Sequence, residues 1–242
     1  MKESVGIIGL GRFGRVLANI LSDDFHVQAV DPNPQSDVFG VELVDWNTIL
    51  NEQTIFVAVP IHSFKAVIRQ LASDLSQDVT IIDVCSVKVY PVTVMKEHLS
   101  SRVGIIATHP LFGPDSIKSQ EGLKIMMHDV RDIYNQYIQW KEYFQSKAIQ
   151  VAEMTPEQHD RTAAKTQGIT HFIGRVLRDA GINSTDIDTL GFHDLVQVID
   201  QTCNDSWELF MDLQNYNPYT LSVIQQLETS INVIRSKILK GA

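Results

Sequence analysis

His109 stands where an apolar run, Val103 to Thr108, empties into Pro110-Leu111-Phe112-Gly113-Pro114. A neutral imidazole held in a rigid loop can accept a hydroxyl proton near physiological pH, although a histidine in a turn serves equally well in packing or against solvent. Ser86 and Lys88 follow a second apolar run, Val79 to Val84. The serine suits the orientation of a substrate hydroxyl or of a bound cofactor and the lysine suits the steadying of the loop, but both are also common turn residues. Farther along, Gln167, His171 and Arg175 recur every fourth residue and form one polar stripe on a helix, with Ile169, Phe172, Ile173 and Val176 as an apolar face beside it. Gly168 and Gly174 each cost such a helix about 1 kcal/mol relative to alanine, a sign that something approaches closely there. The competing reading of the stripe is a solvated face on an interfacial helix.

A cofactor signature precedes all of these. Ser4 to Ile8 is an apolar run that leads into Gly9-x-Gly11-x-x-Gly14, with Arg12 and Phe13 inside the turn, and an amphipathic stretch from Arg15 to Leu21 follows. In that strand–turn–helix context Gly9 allows the tight turn, Gly11 lets backbone approach a pyrophosphate, and Gly14 lets helix and strand pack closely. Such a turn alone also serves other nucleotides, or none. The second strand, Phe25 to Val30, ends in Asp31, roughly 20 residues beyond the glycines, where a carboxylate accepts ribose hydroxyls and repels a 2′-phosphate. Pro32-Asn33-Pro34-Gln35-Ser36 supplies no arginine for that phosphate, so the expected cofactor is NAD. Val59 and Pro60, at the end of the run Thr54 to Val59, are the expected contacts on the adenosine side.

The elements that must position these residues alternate between buried strands and amphipathic helices. After a weakly patterned stretch from Asn33 to Asn51, strands are predicted at Thr54 to Val59, Val79 to Val84, Val103 to Thr108, Leu123 to Met127 and Ala148 to Ala152. Helices are predicted at about Ser63 to Leu75, Val92 to Leu99 and Ile133 to Gln145. Beyond them strands nearly disappear. Thr155-Pro156-Glu157-Gln158 has the form of a helix start, and long helices are expected to about Asp179, from about Phe192 to Leu213, and after Asn217-Pro218. The expected fold class is therefore α/β, a doubly wound Rossmann-type parallel sheet over residues 1–153 followed by a smaller all-helical domain over residues 154–242.

Composition narrows the partners. The 242 residues are 44% hydrophobic and 20% charged, with a net charge of −9. No Lys/Arg run interrupts that acidic balance, which argues against nucleic acid or an anionic membrane as partner. Cys85 and Cys203 stand far apart without CxxC spacing, so no disulfide framework or metal site is expected and a reducing, cytoplasmic setting fits. The first strand begins within a few residues of Met1 and no apolar run approaches a membrane span, so neither a leader nor a membrane segment is expected.

Five motifs occur together and in order: Gly9-x-Gly11-x-x-Gly14, Asp83-Val-Cys-Ser86-Val-Lys88, Thr108-His109-Pro-Leu-Phe-Gly-Pro114, Glu157-Gln-His159-Asp160-Arg161 and Gln167-Gly-Ile-Thr-His171-Phe-Ile-Gly-Arg175. In this the chain resembles the prephenate/arogenate dehydrogenase family. Thr202-Cys-Asn-Asp205-Ser-Trp-Glu-Leu and Tyr216-Asn-Pro218 look especially like the plant-type arogenate dehydrogenases. The resemblance implies NAD-dependent oxidative decarboxylation of a small cyclohexadienol, prephenate or arogenate, on the way to tyrosine. It makes His109 the base for the ring 4-hydroxyl and Ser86 its hydrogen-bond partner. Gln167, His171 and Arg175 would line the substrate side across a cleft between the domains, and a homodimer would form through the helical domain.

Two departures qualify the resemblance. Many bacterial prephenate-using members place an arginine in the second half of the helical domain; Gln201 or a neighbour stands there, with Arg175 or Arg161 as the substitute cation. Plant-type enzymes generally prefer NADP, whereas Asp31 argues for NAD. An acidic residue at the position of Asp205 accompanies a preference for arogenate, whose ammonium a carboxylate can pair. The rival readings are another two-domain dehydrogenase of the β-hydroxyacid or pyrroline-5-carboxylate reductase type, for which only Lys165 is suitably placed, and an NAD-sensing module without turnover.

Overall fold

The computed structural model describes residues 2–33, 40–113 and 122–241. The chain divides into two compact units, Met1–Pro156 and Glu157–Ala242. In chain order the first unit comprises β1 (Ser4–Ile8), α1 (Arg12–Ser22), β2 (His26–Val30), β3 (Val41–Leu43), α2 (Trp46–Ile49), β4 (Thr54–Val57), α3 (Ile61–Asp74), β5 (Val79–Asp83), α4 (Val89–His98), β6 (Val103–Pro110), β7 (Lys124–Arg131), α5 (Tyr137–Ser146) and β8 (Gln150–Glu153). They form one eight-stranded sheet in the order β3-β2-β1-β4-β5-β6-β7-β8. All neighbours are parallel except β6 and β7.

The central strands are continuous apolar runs because both faces of the sheet are covered: Ile7, Ile55, Phe56, Ile81, Ile82, Ile105 and Ile106 are wholly buried. On one face α5 contributes Trp140, whose ring meets Phe56 edge-on at 4.9 Å, and Tyr143, whose hydroxyl donates to the Ile20 carbonyl at 2.8 Å. The chain leaves β1 toward β2 and returns to β4 on its other side, so the strand order reverses at the carboxyl end of β1. That crevice is where open α/β sheets bind ligands.

The second unit carries α6 (Pro156–Ala163), a π turn (Ala164–Gly168), α7 (Ile169–Asp179), α8 (Leu190–Cys203), α9 (Trp207–Tyr216) and α10 (Thr220–Lys240). Among the described residues no helix is long and apolar enough to cross a membrane. The expected single helix from Phe192 to Leu213 is two helices, broken at Asn204-Asp205-Ser206. The Ser206 side chain accepts from the Leu209 N–H at 3.1 Å and caps α9. The expected apolar face of α7 is half-buried at Ile169, Phe172 and Ile173. The buried residues of the helix are His171 and Gly174, while Val176 is exposed.

Candidate active site

The glycine turn has a stereochemical reason at each position. Gly9 has φ of +100°, and a Cβ there would lie 2.5 Å from the Ala58 carbonyl oxygen. A Cβ on Gly14 would lie 2.1 Å from the Gly9 carbonyl oxygen, so α1 rests directly on the turn. Among the described residues nothing beyond its chain neighbours lies within 4 Å of where a Cβ on Gly11 would sit, the open approach that a pyrophosphate needs. Helix α1 has no side-chain cap and no acidic residue in its first turn, so its leading N–H groups suit an anion. Arg12 opens that helix, and Phe13 packs on the core with its ring 6.2 Å from that of Phe112.

Asp31 follows β2 at the rim of the same turn. Its Oδ2 accepts from the Leu10 N–H at 2.7 Å and its Oδ1 from the Asn33 N–H at 2.8 Å. Both bonds fix the carboxylate, and each oxygen keeps acceptor capacity for a ribose hydroxyl. Val59 lies against the turn, 3.2 Å from where a Gly9 Cβ would sit, and Pro60 precedes the first residue of α3. These residues fit NAD. Residues 34–36, and with them part of the argument against NADP, lie outside the described residues, as does Pro114.

His109 is placed differently from the sequence expectation. It belongs to β6 rather than to the loop, opposite Met126 of β7, and is 3% exposed. The apolar pattern stops at Thr108, but backbone pairing with β7 carries the strand on to Pro110. The residue before it is held by a buried polar cluster. Lys88, wholly buried, donates through Nζ to Asp83 Oδ1 and to the Thr108 carbonyl. The Thr108 hydroxyl donates to the Asp83 carbonyl at 2.7 Å, and the Cys85 N–H donates to Asp83 Oδ1 at 3.1 Å. Burial pushes the Asp83 carboxyl up against the opposing pull of the Lys88 ammonium. The carboxyl end of β5, the half-buried Ser86 after it, and the end of β6 are thus tied together. Sequence reasoning named the lysine but missed Asp83 and Thr108 as its acceptors; the available signal was one acid and one base inside an otherwise apolar stretch.

In the second unit Gln167 lies in the π turn, and Gln214 Nε2 donates to the Gly168 carbonyl beside it at 3.2 Å. His171 and Arg175 lie on α7. Gly174, between them, allows α8 its approach: a Cβ there would sit 2.0 Å from Thr202 Oγ1. At Gly168 the nearest atoms are at ordinary contact distance, 3.4 Å, so only Gly174 carries the expected close approach. His171 Nδ1 is 4.0 Å from Asp205 Oδ2. Burial lowers the imidazole pKa, with the Asp205 carboxylate opposing and Arg175 adding to the shift. Arg175 Nη2 donates to the carbonyls of Thr202, at 3.5 Å, and Asp205. Its guanidinium also lies over the rings of Trp207 and Phe210, 5.3 and 5.5 Å from their centroids. The structure thus gathers His171, Arg175 and Asp205 into one cluster and adds two aromatic residues that the sequence reading did not single out.

Comparison with known proteins gives this arrangement a context. The fold matches that of a prephenate dehydrogenase from A. aeolicus, solved with hydroxyphenyl propionate and NAD+, with a TM-score of 0.79 at 20% identity over 100% of this chain and 92% of that one. An arogenate dehydrogenase structure from Synechocystis matches with a TM-score of 0.72 at 19% identity, covering 98% of this chain and 92% of that one. By sequence, residues 26–125 match the family described as prephenate dehydrogenase, nucleotide-binding domain. Residues 176–242 match the TYRAAT1-like C-terminal domain. Arogenate dehydrogenase 2, chloroplastic, from Arabidopsis thaliana is 29% identical over 97% of this chain and 69% of its own length. Arogenate dehydrogenase 1, chloroplastic, from the same plant is 27% identical over 97% of this chain, which spans only 39% of that relative. With both sequence families matched in order and relatives aligned along nearly its whole length, the chain is similar throughout to the prephenate/arogenate dehydrogenases.

Proposed function

We propose that the protein is an NAD-dependent dehydrogenase of tyrosine biosynthesis, which oxidatively decarboxylates arogenate to tyrosine, prephenate to 4-hydroxyphenylpyruvate, or both. The observation that carries the reading is the crevice at the carboxyl ends of β1 and β2, where Gly11 faces open space and Asp31 is fixed at the rim. Ser86 and His109 lie on the same sheet, at the carboxyl ends of β5 and β6. NAD bound there supplies the hydride acceptor. The N–H groups of the turn and of the first turn of α1 hold its phosphates, with Arg12 and Phe13 beside them. Asp31 takes the ribose hydroxyls, and Val59 and Pro60 border the adenosine.

Ser86 then hydrogen-bonds the ring 4-hydroxyl of the substrate, and His109 accepts its proton as the hydride departs from ring C4. The ring carboxylate leaves as carbon dioxide, the bonding pair it releases completes the aromatic ring, and the phenolate oxygen takes a proton back. Aromatisation drives the reaction, so the protein has chiefly to align the ring and polarise one hydroxyl. On this reading residues 1–153 are the dinucleotide domain and residues 154–242 the substrate and dimerisation domain. Gln167, His171, Arg175 and Asp205 line the substrate side. The Asp205 carboxylate suits the ammonium of arogenate, where prephenate has a ketone, so arogenate is used at least as well. The exposed apolar residues Ile231, Ile234 and Ile238 of α10 support a homodimer through the helical domain. The wide separation of Cys85 and Cys203, without CxxC spacing, supports a cytoplasmic setting.

His109→Asn tests the reading. Loss of a general base costs about 10²–10⁴-fold in kcat, and NAD affinity, measured separately by titration, should change little. A variant that kept its turnover would remove His109 from the chemistry.

A further inference from the structure

Arg175 is the natural candidate for a cation that binds a substrate carboxylate, yet its guanidinium is already committed. The last carbonyls of a helix have no intrahelical donor, and Thr202 lies in the final turn of α8. Arg175 Nη2 reaches the Thr202 carbonyl and also the Asp205 carbonyl in the break between α8 and α9. The guanidinium plane lies over Trp207 and Phe210, in the first turn of α9. One side chain on α7 therefore holds the end of α8, the break and the start of α9. A carboxylate is clasped by two parallel N–H groups of the guanidinium. Nη2 is occupied by carbonyls, and Nε is sealed from solvent with no acceptor among the described residues, so both the end-on and the side-on clasp lack a member.

We infer that Arg175 is a positioning residue for substrate specificity: it fixes the corner between α8 and α9 and so presents the Asp205 carboxylate, instead of binding the substrate's own carboxylate. The inference rests on the dehydrogenase function proposed above and says which feature of the substrate the residue governs. A carboxylate ligand would serve arogenate and prephenate alike, because both carry the ring carboxylate. A residue that acts through Asp205 serves mainly the substrate with the ammonium.

The experiment measures kcat/KM for both acids with the wild type, Arg175→Met, Arg175→Lys, Asp205→Asn and the double variant Arg175→Met/Asp205→Asn. A lost contact to a charged group is expected to lower the arogenate value about tenfold or more in Arg175→Met. The prephenate value should fall by much less, and Arg175→Met should add little once Asp205 is already asparagine. Arg175→Lys keeps the charge but loses the planar guanidinium that lies over Trp207 and Phe210, so it should shift the preference in the same direction, and it stands in if the methionine variant does not fold. Equal losses for the two acids, no loss at all, or additive effects in the double variant would overturn the inference. So would a wild type that turns over prephenate but not arogenate. A wild type that turns over only arogenate leaves the double-variant comparison on that acid to decide. A wild type inactive with both acids defeats the proposed function itself, and the inference with it.

Discussion

Lys88→Met probes the cluster beneath His109. The substitution keeps most of the stem volume, removes the buried ammonium and leaves the Asp83 carboxyl with neither the cation nor water. Removing one partner of a buried pair costs about 3–5 kcal/mol. In a domain of 150 residues or more, each kcal/mol moves Tm by about 2–4 °C, so a fall of roughly 6–20 °C is expected. Asp83 sets the pH dependence. Its carboxyl is pushed up by burial even with Lys88 present, and loss of the cation raises it further. A carboxyl with a folded pKa above its unfolded value of about 3.9 keeps its proton in the folded state where the unfolded chain has lost it. Stability is therefore fully present below the unfolded pKa and lost as pH rises through the folded one. The variant should lose more at pH 8 than at pH 5. Asp83→Asn/Lys88→Met, with neither charge, should regain most of the loss. Thermal unfolding followed by circular dichroism at the two pH values reads both effects. A single variant within about 1 kcal/mol of the wild type, a larger loss at pH 5, or a double variant as unstable as the single one would refute the reasoning.

Two other outcomes are expected. Asp31→Ser removes the charge that repels a 2′-phosphate and should raise the preference for NADP relative to NAD by about tenfold or more in kcat/KM; an unchanged ratio would detach cofactor choice from this residue. Ile234→Glu/Ile238→Glu places charges on the exposed face of α10 and should convert a dimer to monomer in sedimentation equilibrium, whereas an unaltered mass would place any dimer contact elsewhere.

The glycine turn was legible in the sequence because its constraints are local: a positive φ at Gly9 and the contact of Gly14 with the Gly9 carbonyl leave no other residue type. The alternation of buried strands and amphipathic helices was legible for the same reason. What escaped depended on pairing or on phase. Strand β3 is three residues long with Glu42 and Leu43 exposed, so it carries no periodic signal and exists through its pairing with β2. The π turn between α6 and α7 is marked by no propensity. Periodicity joined α8 and α9 into one helix, although Ser206 was available as a cap. His171 and Asp205, 34 positions apart in the sequence, meet only because Gly174 lets α8 approach α7 and the helix breaks after Cys203.

The most direct test of the account is NADH or NADPH formation followed by absorbance, with NAD or NADP crossed against arogenate or prephenate. The account requires turnover with NAD, with arogenate used at least as well as prephenate and NADP the poorer cofactor. No turnover in any combination, with NAD binding confirmed by titration, would contradict it.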